Sequence, residues 1–211
     1  SNPRLRVVGQ GIDTNVFGAS NTSRDGGPLV FYTLGRVSAV KNLEVLIDAF
    51  RQFHASRPDA GAEFHIIGDC LGDADRAYRA RLLEMVQASG IDRLVRFKPS
   101  IPFHDVPLAH ACGDVFLHSN DNGLDKALLE AMSCENPVIA CHPAVANAIV
   151  PWAARTPEDI AARMVRLHDM PATERRAIGK ANRQFIIAHH SLPALGAKIA
   201  GILAEIGRAH V

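Results

Sequence analysis

Five short apolar runs, set apart by amphipathic helical stretches, leave this chain few folds to choose from. The runs are LVFYTLG (Leu29 to Gly35), AEFHIIG (Ala62 to Gly68), LVRFK (Leu94 to Lys98), DVFLHS (Asp114 to Ser119) and PVIAC (Pro137 to Cys141). Each has the length of a buried strand, and the first two close on glycine. Between them the spacing changes. Leu43, Leu46, Ile47, Phe50 and Phe53 make one apolar stripe on a helix from Asn42 to Ser56. Further helices are predicted over Ala74 to Ser89, stopped by Gly90, over Val106 to Ala111, and over Leu124 to Cys134. Strand and helix in strict alternation mean right-handed βαβ units, a parallel sheet flanked by helices, and strands buried on both faces. Such sheets take their ligands at the carboxyl ends of the strands. Here those ends are Gly35-Arg36, Gly68-Asp69, Lys98-Pro99 and Ser119 to Gly123.

The pattern shifts after Ala144. Thr156-Pro157-Glu158-Asp159 opens a helix with a hydroxyl cap, proline in the first turn and an acid three residues after the cap. Helices from Ala172 to Ala188 and from Leu192 to about Ile206 follow. The predicted organisation is a lead-in over residues 1–28, an α/β domain over 29–170 and C-terminal helices over 171–211. Net charge is +1, which gives no footprint for nucleic acid. No apolar run reaches the length of a membrane span. Cys70, Cys112, Cys134 and Cys141 form no C-x-x-C pair, and adjacent His189 and His190 point apart on a helix, so no metal site is expected. Reduced thiols and no signal peptide point to a cytoplasmic protein.

Two places at the strand mouths could carry chemistry. Arg36 follows the first strand, and Lys41 stands just before the next helix. A guanidinium fork with a point charge beside it suits a diphosphate, although two solvated surface cations would read the same way. The second place is NGLDKALLEAM, Asn122 to Met132. A helix starting near Leu124 aims its free N–H groups at Ser119 to Gly123, which makes an anion site. Lys126 in the first turn opposes the helix dipole unless it meets the same anion. Glu130, one turn on, leans back toward that mouth, and a carboxylate can accept both hydroxyls of a ribose diol. A solvent-facing pair of Lys126 with Glu130 is the plainer alternative.

Taken together, these segments resemble the C-terminal, donor-binding half of a GT-B glycosyltransferase of the family 4 type, the glycosyl transferases of group 1. The matching pieces, in family order, are VVGQGIDTNVF, LGRVSAVKNLEVLIDAF, FHIIGD, the stretch from Gly90 to Asn120, and NGLDKALLEAMSCENPVIA. The resemblance implies a Rossmann-like sheet with extra C-terminal helices. It implies a nucleotide-diphosphate sugar donor (UDP-, GDP- or ADP-linked), held without a metal or other cofactor. The diphosphate would lie on Arg36, Lys41 and Lys126, and the ribose on Glu130. The loop Asn122, Gly123, Leu124, Asp125 would face sugar and phosphate, and the base would lie against Arg96, Phe97 and Lys98. The reaction would be hexosyl transfer with retention.

Three positions depart from the family pattern. Asn122, eight residues before Glu130, replaces the first glutamate of the motif. Glu135 replaces a glycine, so the turn there is expected to be built differently. Beyond CHPAVANAIV (Cys141 to Val150) the usual glycine-rich loop and acid are missing and the segment is shortened. The resemblance also implies an N-terminal acceptor domain ahead of this chain. That half would supply the catalytic acceptor-side residues and any membrane docking. IGRAHV at the end resembles an adapter-encoded tail on a gene fragment. Two rival readings stay open: a degenerate, non-catalytic sugar-nucleotide-binding or structural domain, and a sugar-nucleotide epimerase of the same architecture.

Overall fold

The computed structural model describes residues 6–19, 27–120 and 123–208. The expectations placed on Asn122, on most of the loop before the first strand and on the last three residues of the tail therefore lie outside the described residues.

The five predicted strands are present: β1 (Leu29–Leu34), β2 (Ala62–Ile67), β3 (Val95–Lys98), β4 (Val115–His118) and β5 (Val138–Ala140). They form one sheet in the order β3-β2-β1-β4-β5, and all of its pairings are parallel. The connecting helices are α1 (Leu43–Ser56), α2 (Asp73–Ala88), α3 (Val106–Cys112) and α4 (Lys126–Ser133). Beyond β5 come a single helical turn, α5 (Pro143–Ala146), and then α6 (Pro157–Asp169), α7 (Ala172–His189) and α8 (Leu192–Arg208). The order reverses between β1 and β4, which places the crevice for a ligand at their carboxyl ends.

Alternation along β1 splits the core into two layers. Phe31 points to α1 and meets Phe50 and Phe53 edge-on, with centroids 6.3 and 5.2 Å apart. Tyr32 points the other way, toward Phe116 and His110, and shares a hydrogen bond of 2.8 Å with His110 Nδ1. Gly113 is needed here, because a Cβ would lie 2.2 Å from the Tyr32 ring.

Burial on both faces holds for β4 and β5 but not for the other edge of the sheet. One face of β2 and β3 carries Glu63, His65, Arg96 and Lys98, with ion contacts of 2.7 Å (His65 to Glu63) and 3.8 Å (Arg96 to Glu63). The reason is topological. β3 is the edge strand, and this face of β2 and β3 opens on a cleft bordered by α3.

The lead-in folds back onto the C-terminal helices. Ile12 pairs with Ser191 as an isolated parallel bridge. The Arg183 guanidinium of α7 donates to the carbonyls of Thr14, Phe17 and Ser133, tying the lead-in to α4. Gly179 lets α7 approach closely, since a Cβ there would lie 1.7 Å from the Glu135 carbonyl oxygen. The turn at Glu135 corrects an expectation. It keeps the left-handed backbone that glycine favours, with φ 64° adopted by the glutamate itself.

Candidate functional site: the mouth of β1 and β4

Two glycines shape the floor of the mouth. Gly35 (φ 140°) and Gly68 (φ 151°) end β1 and β2, and a Cβ on Gly68 would lie 1.9 Å from the Gly35 carbonyl oxygen. The chain then passes through Ser38 and a 3-10 turn, Ala39–Lys41, before Asn42 turns left-handed (φ 48°) into α1. The first N–H of α1, on Leu43, donates to the Tyr78 hydroxyl of α2. Ser119, just past β4, donates to the carbonyls of Lys41 (2.7 Å) and Asn42 (2.9 Å). That hydroxyl joins the two loops that face each other across the mouth.

Arg36 is half exposed, and its nearest anion is Asp75, 3.9 Å away. Lys41 is mostly enclosed and ion-pairs with Asp125, the N-cap residue of α4. Asp125 makes no side-chain cap bond to the helix. Its extended backbone (φ −81°, ψ 128°) starts α4 at Lys126, two residues later than the sequence pattern indicates. Lys126 is exposed at the first helical position. Leu124 is held from behind, because Gln10 Nε2 of the lead-in donates to its carbonyl at 2.5 Å.

Glu130 is buried, with 8% of its surface exposed. Burial raises its carboxyl pKa, Lys126 opposes that rise and Asp125 adds to it. Its carboxylate has no hydrogen-bond donor among the described residues. A carboxylate in a largely buried side chain that has no protein donor is free to accept from a ligand hydroxyl at the mouth. Asp125 behaves in the opposite way. Burial alone would raise its pKa, but His118 and Lys41 outweigh burial and hold it well below the carboxylate range.

The residues expected at the base separate. Phe97 lines a cleft of about 620 Å³ with Gly68, Cys70, Arg76 and Arg79, and the Arg79 guanidinium lies 5.3 Å from the ring centroid. Lys98 stands at the strand end between that cleft and a second one, of about 610 Å³, on the other face of the sheet. Arg96 points away from the first cleft toward Glu63. The structure thus brings Arg36, Lys41, Asp125, Lys126 and Glu130 to one strand mouth, with Phe97 and Lys98 at the neighbouring strand end. Sequence reasoning missed His118, which is 4% exposed beneath Asp125. The one signal for it was its position as the last residue of a buried strand. Among the described residues, no group of His, Cys, Asp or Glu could hold a metal ion, and no helix is long and apolar enough to cross a membrane.

A parallel sheet with this strand order and its crevice at the mouth of β1 and β4 is Rossmann-like, and its likeness to solved structures makes it the C-terminal half of a GT-B fold. The family follows from the sequence. Residues 28–170 match the glycosyl transferases group 1, and the chain belongs to that family. It is 30% identical over 194 residues to the alpha-D-kanosaminyltransferase of Streptomyces kanamyceticus, covering 87% of this chain and 47% of that protein. Among solved structures, the C-terminal domain of the group 1 protein LpcC from Francisella tularensis superposes with a TM-score of 0.75 at 20% identity, covering 86% of this chain and all of that one. HepE of Anabaena, in complex with UDP and glucose, superposes with a TM-score of 0.77 at 19% identity, covering 92% of this chain and 55% of that one. The chain spans about a quarter to a half of the length of the curated relatives it matches.

Proposed function

We propose that this chain is the donor half of a retaining glycosyltransferase that moves a hexosyl group from a nucleotide-diphosphate sugar to an acceptor bound by a separate N-terminal domain. The observation that carries the reading is Glu130: a largely buried side chain whose carboxylate lies within electrostatic reach of Asp125, the partner of the Lys41 ammonium. A carboxylate that accepts from a ribose diol and cations that meet a diphosphate are the two halves of a nucleotide-diphosphate site. Arg36, Lys41 and Lys126 take the diphosphate. The N–H groups of Gly123 to Asp125 face the phosphate and sugar. The base enters the cleft beside Phe97 and Lys98, and Arg96 stays with Glu63. The cations do the work a divalent metal would otherwise do, so donor binding needs no metal. Bound UDP in the Anabaena relative is consistent with this ligand class. The whole enzyme works in the cytoplasm. Titration of the chain with UDP, GDP and ADP by calorimetry, with and without a chelator, tests the reading. One of the three is expected to bind with the chelator present; no heat from any of them at millimolar concentration, with the fold intact, contradicts it.

A second reading is favoured by one residue. Asn122 stands where the family motif has a glutamate, which fits a domain that binds a sugar nucleotide but does not transfer from it. Joining an N-terminal acceptor domain to this chain and comparing Asn122 with Asn122→Glu separates the two. Equal turnover by both forms removes the basis for the second reading.

A further inference from the structure

His118 is the feature the site described so far does not use. It ends β4 directly below the mouth and is 4% exposed, and both of its ring nitrogens are buried without a hydrogen-bond partner among the described residues. Its Nε2 lies 3.6 Å from Asp125 Oδ2, too far for a hydrogen bond and close enough for charge to matter. The same oxygen, Oδ2, receives the Lys41 ammonium. One carboxylate oxygen therefore stands between a lysine at the ligand mouth and an unpartnered imidazole behind it.

Resting on the donor-site reading above, we propose that His118 is a positioning residue that takes over the Asp125 carboxylate when a donor diphosphate takes Lys41, and that it binds a proton as it does so. A diphosphate arriving at Lys41 meets Asp125 as a like charge, which is unfavourable in a partly enclosed mouth. Turning Asp125 onto a protonated His118 removes the repulsion and gives the buried ring the partner it lacks. In the ligand-free mouth Lys41 and His118 share the Asp125 carboxylate, and once the lysine moves its charge to the phosphate His118 is left to balance that carboxylate alone. The proton comes from solvent and ends on the imidazole, and no covalent bond is made or broken. The charged groups nearest this exchange are Asp125 and Lys41 at the mouth and Lys126 and Glu130 on α4. β5 sets uncharged Ala140 beside it, and β1 ends on uncharged Leu34. α4 carries Lys126 and Glu130, of opposite charge, one turn apart beyond Asp125.

Calorimetric titration of the chain with UDP-glucose, and with a GDP-sugar and an ADP-sugar, in Tris and in HEPES at pH 7.5 counts the protons exchanged. Sugar esters are the right probe because their diphosphates do not titrate near neutrality. The wild type is expected to take up between about a third and one proton per nucleotide bound. His118→Asn is expected to take up none and to bind several-fold more weakly. Asp125→Asn is expected to take up none and to bind at least as tightly as the wild type. Binding without proton uptake in the wild type, or the same uptake in His118→Asn, overturns this proposal and leaves the donor reading standing. No binding of any of the three sugars overturns both.

Discussion

The Lys41 ammonium rests on the Asp125 carboxylate and so bridges the start of α1 to the cap of α4, across the mouth between β1 and β4. The pair is mostly enclosed, so a ligand that takes Lys41 must compete with a fixed internal carboxylate. The affinity of this mouth for an anion is then the difference between two ion pairs, and each can be removed separately.

Lys41→Met is expected to weaken binding of a nucleoside diphosphate about 10-fold or more, roughly 1.4 kcal/mol. Binding of the corresponding nucleoside, which has no phosphate, is expected to stay the same. Paired titrations of the two ligands check this. An equal loss for both would place Lys41 in the scaffold and not on the diphosphate.

Glu130 trades stability for ligand. Its carboxyl pKa is raised in the folded chain, mainly by burial. The folded state therefore holds its proton more tightly than the unfolded state does. At neutral pH the ionised group costs stability, and that cost disappears as pH falls through the folded pKa. Glu130→Gln is expected to stabilise the ligand-free chain by about 1 kcal/mol in a denaturant melt and to lose at least about 10-fold in nucleotide affinity.

His110 gives the fold an acid limit unrelated to the site. Burial lowers its pKa to about 4. Between that value and the usual 6.5, the unfolded chain binds the proton that the folded chain refuses. Its contribution is fully present above pH 6.5 and is lost as pH falls toward 4, by up to about 3 kcal/mol. His190, lowered in the same way, adds in the same direction. Urea melts from pH 7 to pH 4 check this, and the slope should flatten in His110→Gln.

The close approaches are equally testable by thermal unfolding. Gly68→Ala forces a Cβ onto the Gly35 carbonyl, and Gly179→Ala forces one onto the Glu135 carbonyl. Each is expected to cost at least about 2 kcal/mol. Glu135→Gly is expected to gain about 1 kcal/mol by relieving a left-handed glutamate.

The strands, their parallel order and the helices between them were legible because each run is apolar, short and bounded by turn residues. Lys41, Lys126 and Glu130 were legible as a group because strand ends and helix starts put them at one mouth. Three things were not. The polar face of β2 and β3 depends on which strand falls at the edge, and the apolar pattern alone does not say. The separation of Arg96 from Phe97 follows from strand alternation, but which face opens on the cleft is decided by α2 and α3. The pairing of Lys41 with Asp125 joins residues 84 positions apart, and local spacing carries no trace of such a contact; His118 stands near Asp125 in the chain, but only the fold shows that it lies beneath the pair.

The account rests most directly on where a nucleotide sits. A crystal structure of the chain with the nucleoside diphosphate that binds most tightly decides it. The predicted result is Glu130 accepting from the 2′- and 3′-hydroxyls of the ribose, with the diphosphate on Lys41 and Asp125 released from it. A nucleotide bound away from β1 and β4, with Lys41 still paired to Asp125 and Glu130 untouched, would contradict it.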